Sequence, residues 1–586
     1  MDRECRSNSV SSQSALSLPK TRVSAALGAT AEIVSLSPAR RIHIECAHAP
    51  SHVAQNYLVA RKIGLPVRVI PIDPENPLWM VLDKRVFIPL FEKLPFGPGT
   101  FTRFNWRGWE FADKYRAHEE MGDVFIMVTP GKLWVHLCSP DALAEILKKD
   151  KDFPRPLEIF EMTKVFGDNL STADGKSWNK HRKITSLAFN EHNNELVWSE
   201  TIRQSRSAVN YWTSKGATAS IADDARTISL HILSAAGFGK FYPFQASRGS
   251  IDTTTTSVAA NYKESLQIIL DNCVLLFVLG TAVIQKPWLP KKARELNAAV
   301  HSFRAYMTEV YEAEKKAFSE DKPAANNLMT QLVRASLGDD GLSETEIYGN
   351  IFVFNFAGHD TTAHTLAFTI YLLATDPAMQ DWVFEELEHV LGERPADEWA
   401  YTTEYPKLKR TLAVLYETIR LYSPVPIAKS TGNSDKPLTV DGKTYIIPAK
   451  TLLIPNHIAV HTHPKYWGED SLKFNPKRWI QSTSARIDDE VFVTPRKGSF
   501  IPWSDGVRNC PGKKFSQVEF VACMATLLKE HYVEPKVFDG EDMGQARRRV
   551  LKLVEEDTGQ VLLLQMFHPE RAPMVWKRRS SEKMVG

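Results

Sequence analysis

Phe500-Ile-Pro-Trp-Ser-Asp-Gly-Val-Arg-Asn-Cys-Pro-Gly-Lys-Lys-Phe515 runs straight into the apolar pattern Val518-Glu-Phe-Val-Ala-Cys-Met-Ala-Thr-Leu527. Pro511 is a favoured first residue of a helix, because the N–H it lacks is one that a helix start leaves unbonded anyway. Cys510, just before it, would face the free N–H groups and positive end of that helix, which lower a thiol pKa. Gly506 permits a turn that a side chain would forbid, Gly512 lets backbone or a flat molecule approach, and Arg508 offers a fork suited to a carboxylate. Taken alone, the loop has two readings: a thiolate ligand, or a buried structural cysteine at a helix start.

A single thiolate cannot hold zinc, but it can be the one protein ligand of a haem iron. The six cysteines, at positions 5, 46, 138, 273, 510 and 523, are scattered and never spaced C-x-x-C. That argues against a disulfide framework and against a structural zinc site, and it suits a reducing compartment. The 586 residues carry a formal net charge of +3, too near balance to signal a nucleic-acid binder.

Working back along the chain, Val124 to Cys138 reads as two strands around a Pro130-Gly131 turn, and Ser139-Pro140 opens a helix over Asp141 to Lys149. Ser343-x-x-Glu346 is a capping box that starts a long, buried helix running to Leu373. Asp376-Pro377 caps and starts the next helix, and Leu408, Leu412, Leu415 and Ile419 mark the stripe of another. Cys273 to Ile284 is apolar all round yet too short to span a bilayer, as a buried or interfacial helix would be. The first forty residues show neither periodicity and are read as a solvated tail; a targeting leader is the alternative.

Inside the long helix lies Ala357-Gly-His-Asp-Thr-Thr362, a polar cluster where Gly and two threonines lower helix propensity. A kink whose hydroxyls bond back to the preceding turn would explain it, as would a proton-handling site. His359 and His364, five residues apart, point about 140° away from each other on a helix and so do not form a zinc pair. Glu417-Thr-Ile-Arg420 places a carboxylate and a guanidinium on one helix face, a pattern that is usually a solvated surface bridge.

Trp503-Ser-Asp-Gly-Val-Arg-Asn-Cys-Pro-Gly512 resembles the haem-binding loop of cytochromes P450, F-x-x-G-x-R-x-C-x-G, with Trp503 in the place of Phe. Glu417-x-x-Arg420, Phe474-Asn-Pro-Lys-Arg-Trp479, the Gly-His-Asp-Thr-Thr run and Trp178-Asn-Lys-His-Arg182 are similar to further elements of that family, in its order. The resemblance implies the cytochrome P450 fold, mainly α with a small β-rich lobe. It implies Cys510 as axial ligand to the iron of haem b, with Arg508, Trp178, Arg182, Trp503, Gly506 and Gly512 around the cofactor, and Lys429 as a weaker candidate. Asp360 and Thr361 would deliver protons, and Glu417, Arg420 and Arg478 would form a buried structural triad. The indole N–H of Trp503 is available to tune the thiolate.

The implied activity is monooxygenation of a small lipophilic substrate, secondary-metabolite-like, with NADPH electrons arriving through a separate NADPH-cytochrome P450 reductase. Lys176, Lys180, Lys183, Lys513 and Lys514 would give that acidic partner a local positive patch. A haem-thiolate isomerase or dehydratase working without dioxygen, or a non-enzymatic haem protein, are the rivals. The expected organisation is a leader over 1–55, disordered or divergent, a membrane-proximal segment over 56–100 and a catalytic domain over 101–586. No stretch reaches the length of a spanning helix. The location that the resemblance implies is the cytosolic face of the endoplasmic reticulum membrane, held by interfacial segments such as Val86 to Phe96 and the Cys273 to Ile284 run.

Overall fold

The computed structural model describes residues 38–76, 79, 82–93, 99–244, 258–322, 327–336 and 341–579. The expected leader up to residue 37 lies outside them. A helix, α1, covers Pro38–Ile63, so the tail read as patternless over its first forty residues turns helical before residue 55. Next comes the three-residue strand β1, Val67–Val69, which pairs in parallel with β2, Val124–Val128. β2 is antiparallel to β3, Leu133–Leu137, across the turn expected at Pro130-Gly131. The folded body thus starts well before Phe101. A three-residue strand between Pro66 and charged loops carries too few alternations to be read from sequence.

Helix α2, Pro140–Lys148, starts where expected, with the Ser139 hydroxyl accepting from Ala142 N–H. Two short strands, β4 (Lys429–Ser430) and β5 (Leu452–Pro455), complete a five-stranded sheet in the order β1-β2-β3-β5-β4. Its core is aliphatic: Ile126, Val128, Val135, Leu137 and Leu453 are sealed beneath Leu143 and Ile146 of α2.

The larger lobe is helical. Helix α3 spans Gly175–Ser186, α4 Glu191–Lys215, α5 Ile221–Phe238 and α6 Val258–Asp271. The long helix α7, Glu344–Thr375, opens on the expected capping box and is followed by α8, Pro377–Leu391, and α9, Lys409–Leu421. After the cysteine loop come α10, Lys513–Glu530, then α11, Met543–Glu556. One core cluster joins α4, α5, α7, α9 and α10, with Trp198, Trp212, Phe368, Tyr371 and Phe520 enclosed. The apolar run from Cys273 is two short helices, Cys273–Leu279 and Thr281–Ile284, broken at Gly280. Among the described residues no helix is long and apolar enough to cross a membrane.

Candidate functional site

Glu417 and Arg420 lie on one face of α9, and both are wholly buried. The Glu417 carboxylate accepts from Arg420 Nε and Nη2 at 2.8 Å each, from Arg478 Nε at 3.0 Å, from Trp479 Nε1 at 2.9 Å and from Asn475 N–H at 2.8 Å. Arg420 spends its remaining N–H groups on the carbonyls of His461, Ser471 and Lys473. The isolated motif looked like a surface bridge, but here every polar atom is used, as a buried charge requires. This knot fixes the segment leading to the cysteine loop: His461 Nε2 bonds the backbone N–H of Ile501.

The loop turns at Ser504 (φ +61°) and Gly506 (φ +71°), and Cys510 N–H closes it by donating to the Trp503 carbonyl at 2.9 Å. A Cβ on Gly506 would stand 2.2 Å from the Leu147 carbonyl oxygen, so this glycine also lets the loop press on α2. The following helix begins at Lys513 rather than at Pro511, with Pro511-Gly512 in a turn. Cys510 is accessible, yet protein encircles it closely enough for desolvation to push its thiol up; a Gly512 N–H, Arg182 and Lys513 pull it part of the way back. The lowered thiol pKa expected from a helix start is therefore not a property of the polypeptide alone. Accessible and encircled together describe the wall of a cleft. The Trp503 indole N–H turns to the Ser516 hydroxyl at 3.2 Å and not to the sulfur.

Beside Cys510, Arg182 of α3 bonds the carbonyl and side-chain oxygens of Asn509. The Arg508 guanidinium lies 4.7 Å from the Trp178 ring centroid and is occupied by Asp150, Asp174 and the Ala173 carbonyl. Lys429 bonds Asp150 at 2.7 Å. Arg155, which sequence reasoning missed, belongs to the same cluster; desolvation and the neighbouring Arg508 bring its pKa down to about 10. Four cations against two carboxylates leave the cluster suited to further negative charge.

α7 is linked to the loop through Phe189, whose ring lies 5.8 Å from that of Phe354 and against Gly512. From Ile347 to Ala374 the side chains of α7 are buried except at Phe356, Ala357, Gly358 and Thr361. This open strip coincides with the polar motif. The Thr361 hydroxyl donates to the Ala357 carbonyl at 2.9 Å, the back-bonding expected of a kink. Asp360 turns the other way, 3.2 Å from Arg226 Nε of α5 and 3.4 Å from His359 Nε2, without a hydrogen bond to its Oδ1. Burial pushes the Asp360 carboxyl up, but His359, Arg226 and His364 outweigh it and hold the group below the ordinary aspartate range. Arg226 also reaches Asp271 of α6 at 3.8 Å. Sequence reasoning missed Arg226 and also His181, which bridges α3 to Glu346 and Asn350 of α7.

A family model of cytochrome P450 matches residues 104–556. The chain belongs to the cytochrome P450 family. It is similar to a cytochrome P450 monooxygenase of Arthrobotrys oligospora, 27% identical across 89% of this chain and 95% of that one. A cytochrome P450 monooxygenase of Penicillium roqueforti is 29% identical, covering 81% and 87%, and a phomenoic acid biosynthesis cluster cytochrome P450 monooxygenase of Leptosphaeria maculans is 29% identical, covering 83% and 90%. The crystal structure of the cytochrome P450DA haem domain superposes with a TM-score of 0.63 over 89% of this chain and 98% of that chain, at 20% identity. The fold class expected from the motifs is the one found, and the protein is an oxidoreductase of the P450 monooxygenase type.

The P450 family implies haem, and the residues fit it. An accessible thiol faces the cleft, and no group of three or more His, Cys, Asp or Glu able to hold a bare ion occurs among the described residues. A metal that brings its own equatorial ligands needs only that one sulfur. Coordination would also resolve the raised thiol pKa, because a metal-bound thiol is deprotonated outright.

Proposed function

We propose that this P450 inserts one atom of dioxygen into a small lipophilic, secondary-metabolite-like substrate, the other atom leaving as water with two electrons from NADPH and two protons. Cys510 would be the axial ligand. Arg182, Arg155 and Lys429 would meet the haem carboxylates, with Arg508 and Trp178 behind them and Trp503, Gly506 and Gly512 shaping the loop. Bound haem supplies the redox chemistry that activates dioxygen. The observation that carries the reading is the open strip at Ala357, Gly358 and Thr361 on a helix otherwise sealed.

In that role the Thr361 hydroxyl would leave the Ala357 carbonyl to donate at the cleft, and Asp360, one residue along and kept as a carboxylate, would accept and pass on the proton that replaces the one delivered. Arg226 fixes the carboxylate. Phe356, half-buried on the open strip and backed by the core residue Phe352 6.0 Å away, would give the substrate an apolar wall. The curated fungal relative from a biosynthesis cluster supports a secondary-metabolite substrate.

Electrons would come through a separate NADPH-cytochrome P450 reductase. Lys176, Lys183, Lys513 and Lys514 are exposed around the cysteine loop, with Lys180 half-buried among them, a patch complementary to an acidic partner. Exposed Val86, Leu90, Val283 and Trp288 support attachment to the cytosolic face of the endoplasmic reticulum membrane. The deciding experiment is co-expression with a reductase and mass spectrometry of host metabolites: compounds 16 Da heavier, absent with Cys510→Ser, are expected. A haem-loaded protein that consumes NADPH and oxygen with no oxygenated product from any extract would refute it.

A further inference from the structure

A second cavity, of about 350 Å³, lies between the C-terminal ends of α7 and α9, the segment 472–474 and α11. Leu372 at its wall is twelve residues, about 18 Å along the helix, beyond Asp360, and none of the residues around Cys510 lines it. Leu372, Leu421, Phe474 and Leu551 give it apolar sides, and Lys473, Arg547 and Arg548 give it charge.

Among the described residues none of those three cations has an ion pair, and Arg547 Nε is enclosed without a hydrogen-bond partner. Its neighbour Arg549 is held by Glu541 at 2.7 Å. An enclosed guanidinium nitrogen left unbonded is costly, which makes it a poor ornament and a good ligand group. Of the two carboxylates in the wall, Asp376 is committed to capping α8 through Met379 N–H, and Glu555 is exposed. Behind Tyr422, Lys114 sits 3.2 Å from the Phe111 ring centroid and 5.9 Å from that of Tyr422; burial brings its pKa down to about 7 against the pull of Glu555, so it balances that carboxylate rather than adding a full positive charge.

We propose that this cavity is a peripheral binding site for an amphipathic organic anion, a carboxylate on an alkyl or aryl body. Arg547 and Arg548 take the carboxylate and the leucines and Phe474 take the apolar body. The charge pattern excludes a neutral lipid as the preferred ligand, and the walls are too apolar for a bare inorganic anion. The Lys473 carbonyl accepts from Arg420 Nη2 at 3.3 Å, so an occupant would brace the segment that holds the buried triad. This inference does not depend on the oxygenase reading.

The test is calorimetric titration of the haem-loaded protein with decanoate, decanol and inorganic phosphate, with the Soret band followed in parallel to separate this site from the haem cleft. Decanoate is expected to bind with a component that leaves the Soret band unmoved and that weakens at least tenfold in Arg547→Gln/Arg548→Gln. Decanol and phosphate should show no such component. Should the double variant lose its native Soret or circular dichroism spectrum, Arg548→Gln alone, at an exposed position, should weaken that component at least threefold. The proposal is overturned by decanoate binding that is wholly Soret-active, by affinity indifferent to the substitutions, or by phosphate binding as tightly as decanoate.

Discussion

The molecule holds two buried carboxylates that treat their charge in opposite ways. Glu417 accepts five hydrogen bonds and is wholly enclosed. Asp360 has one guanidinium at ion-pair distance, a histidine beside it and an oxygen without a hydrogen bond. A saturated carboxylate can exchange nothing, because any rearrangement strands several donors at once. An under-satisfied one can change partner or protonation at modest cost, which a proton-handling group needs. The first holds the architecture, and the second sits where chemistry is proposed.

The contrast breaks most visibly at the saturated end. Glu417→Ala leaves the buried Arg420 uncompensated, while Arg478 keeps Asp470 as counter-charge, and should cost about 3–5 kcal/mol, read as loss of soluble, haem-loaded protein or a large fall in Tm. Recovery of normal yield and Tm would remove Glu417 from its structural role.

Asp360→Asn and Thr361→Ala should do the reverse. Folding and haem content stay near those of the parent, while product formation falls roughly a hundredfold, about 2.7 kcal/mol in barrier, measured as product per NADPH. Equal product formation in both variants would assign the polar cluster to the helix kink alone.

A third carboxylate sharpens the comparison. Glu519 of α10 is fully buried, neither oxygen has a hydrogen bond within standard geometry, and burial pushes its pKa up to about 8. A folded pKa above the unfolded one means that stability is complete below about pH 4.5 and is lost as pH rises through about 8. Glu519→Gln should therefore flatten the decline that sets in above about pH 4.5 and is complete past about pH 8, in urea midpoints taken from pH 5 to 9. An unchanged slope would show that another group governs it.

The smallest effect belongs at the surface. Lys577→Ala breaks a half-exposed pair with Glu534 and should alter stability by less than about 0.5 kcal/mol. A larger change in the urea midpoint would mean that the strand pair His531–Pro535 and Met574–Arg578 is less robust than its pairing suggests.

What could be read from the chain tracks the distance over which each contact acts. Glu417 and Arg420 are one helical turn apart, and the capping box at Ser343 and Glu346 is equally local, so both were legible. Arg226 and Asp360 meet across 134 positions, and Arg155 reaches the cysteine loop from more than 350 positions away, with no local spacing to announce either. The Trp503 indole N–H was read as available to tune the thiolate, but the hydroxyl of Ser516, one helical turn into α10, is the better acceptor. The helix was expected at Pro511 because proline favours that position; the tight Pro511-Gly512 turn delays it by two residues.

The parallel pairing of β1 with β2 sets where the gene can be shortened. Ile126 N–H reaches back to the Pro66 carbonyl and Ile70 N–H to that of Val128, both at 2.8 Å. All of β1 lies upstream of residue 104, where the family match starts. A chain begun there would bare one whole edge of the sheet, a ready template for a neighbouring molecule's backbone. Such a trimmed protein would clump rather than merely lose an anchor.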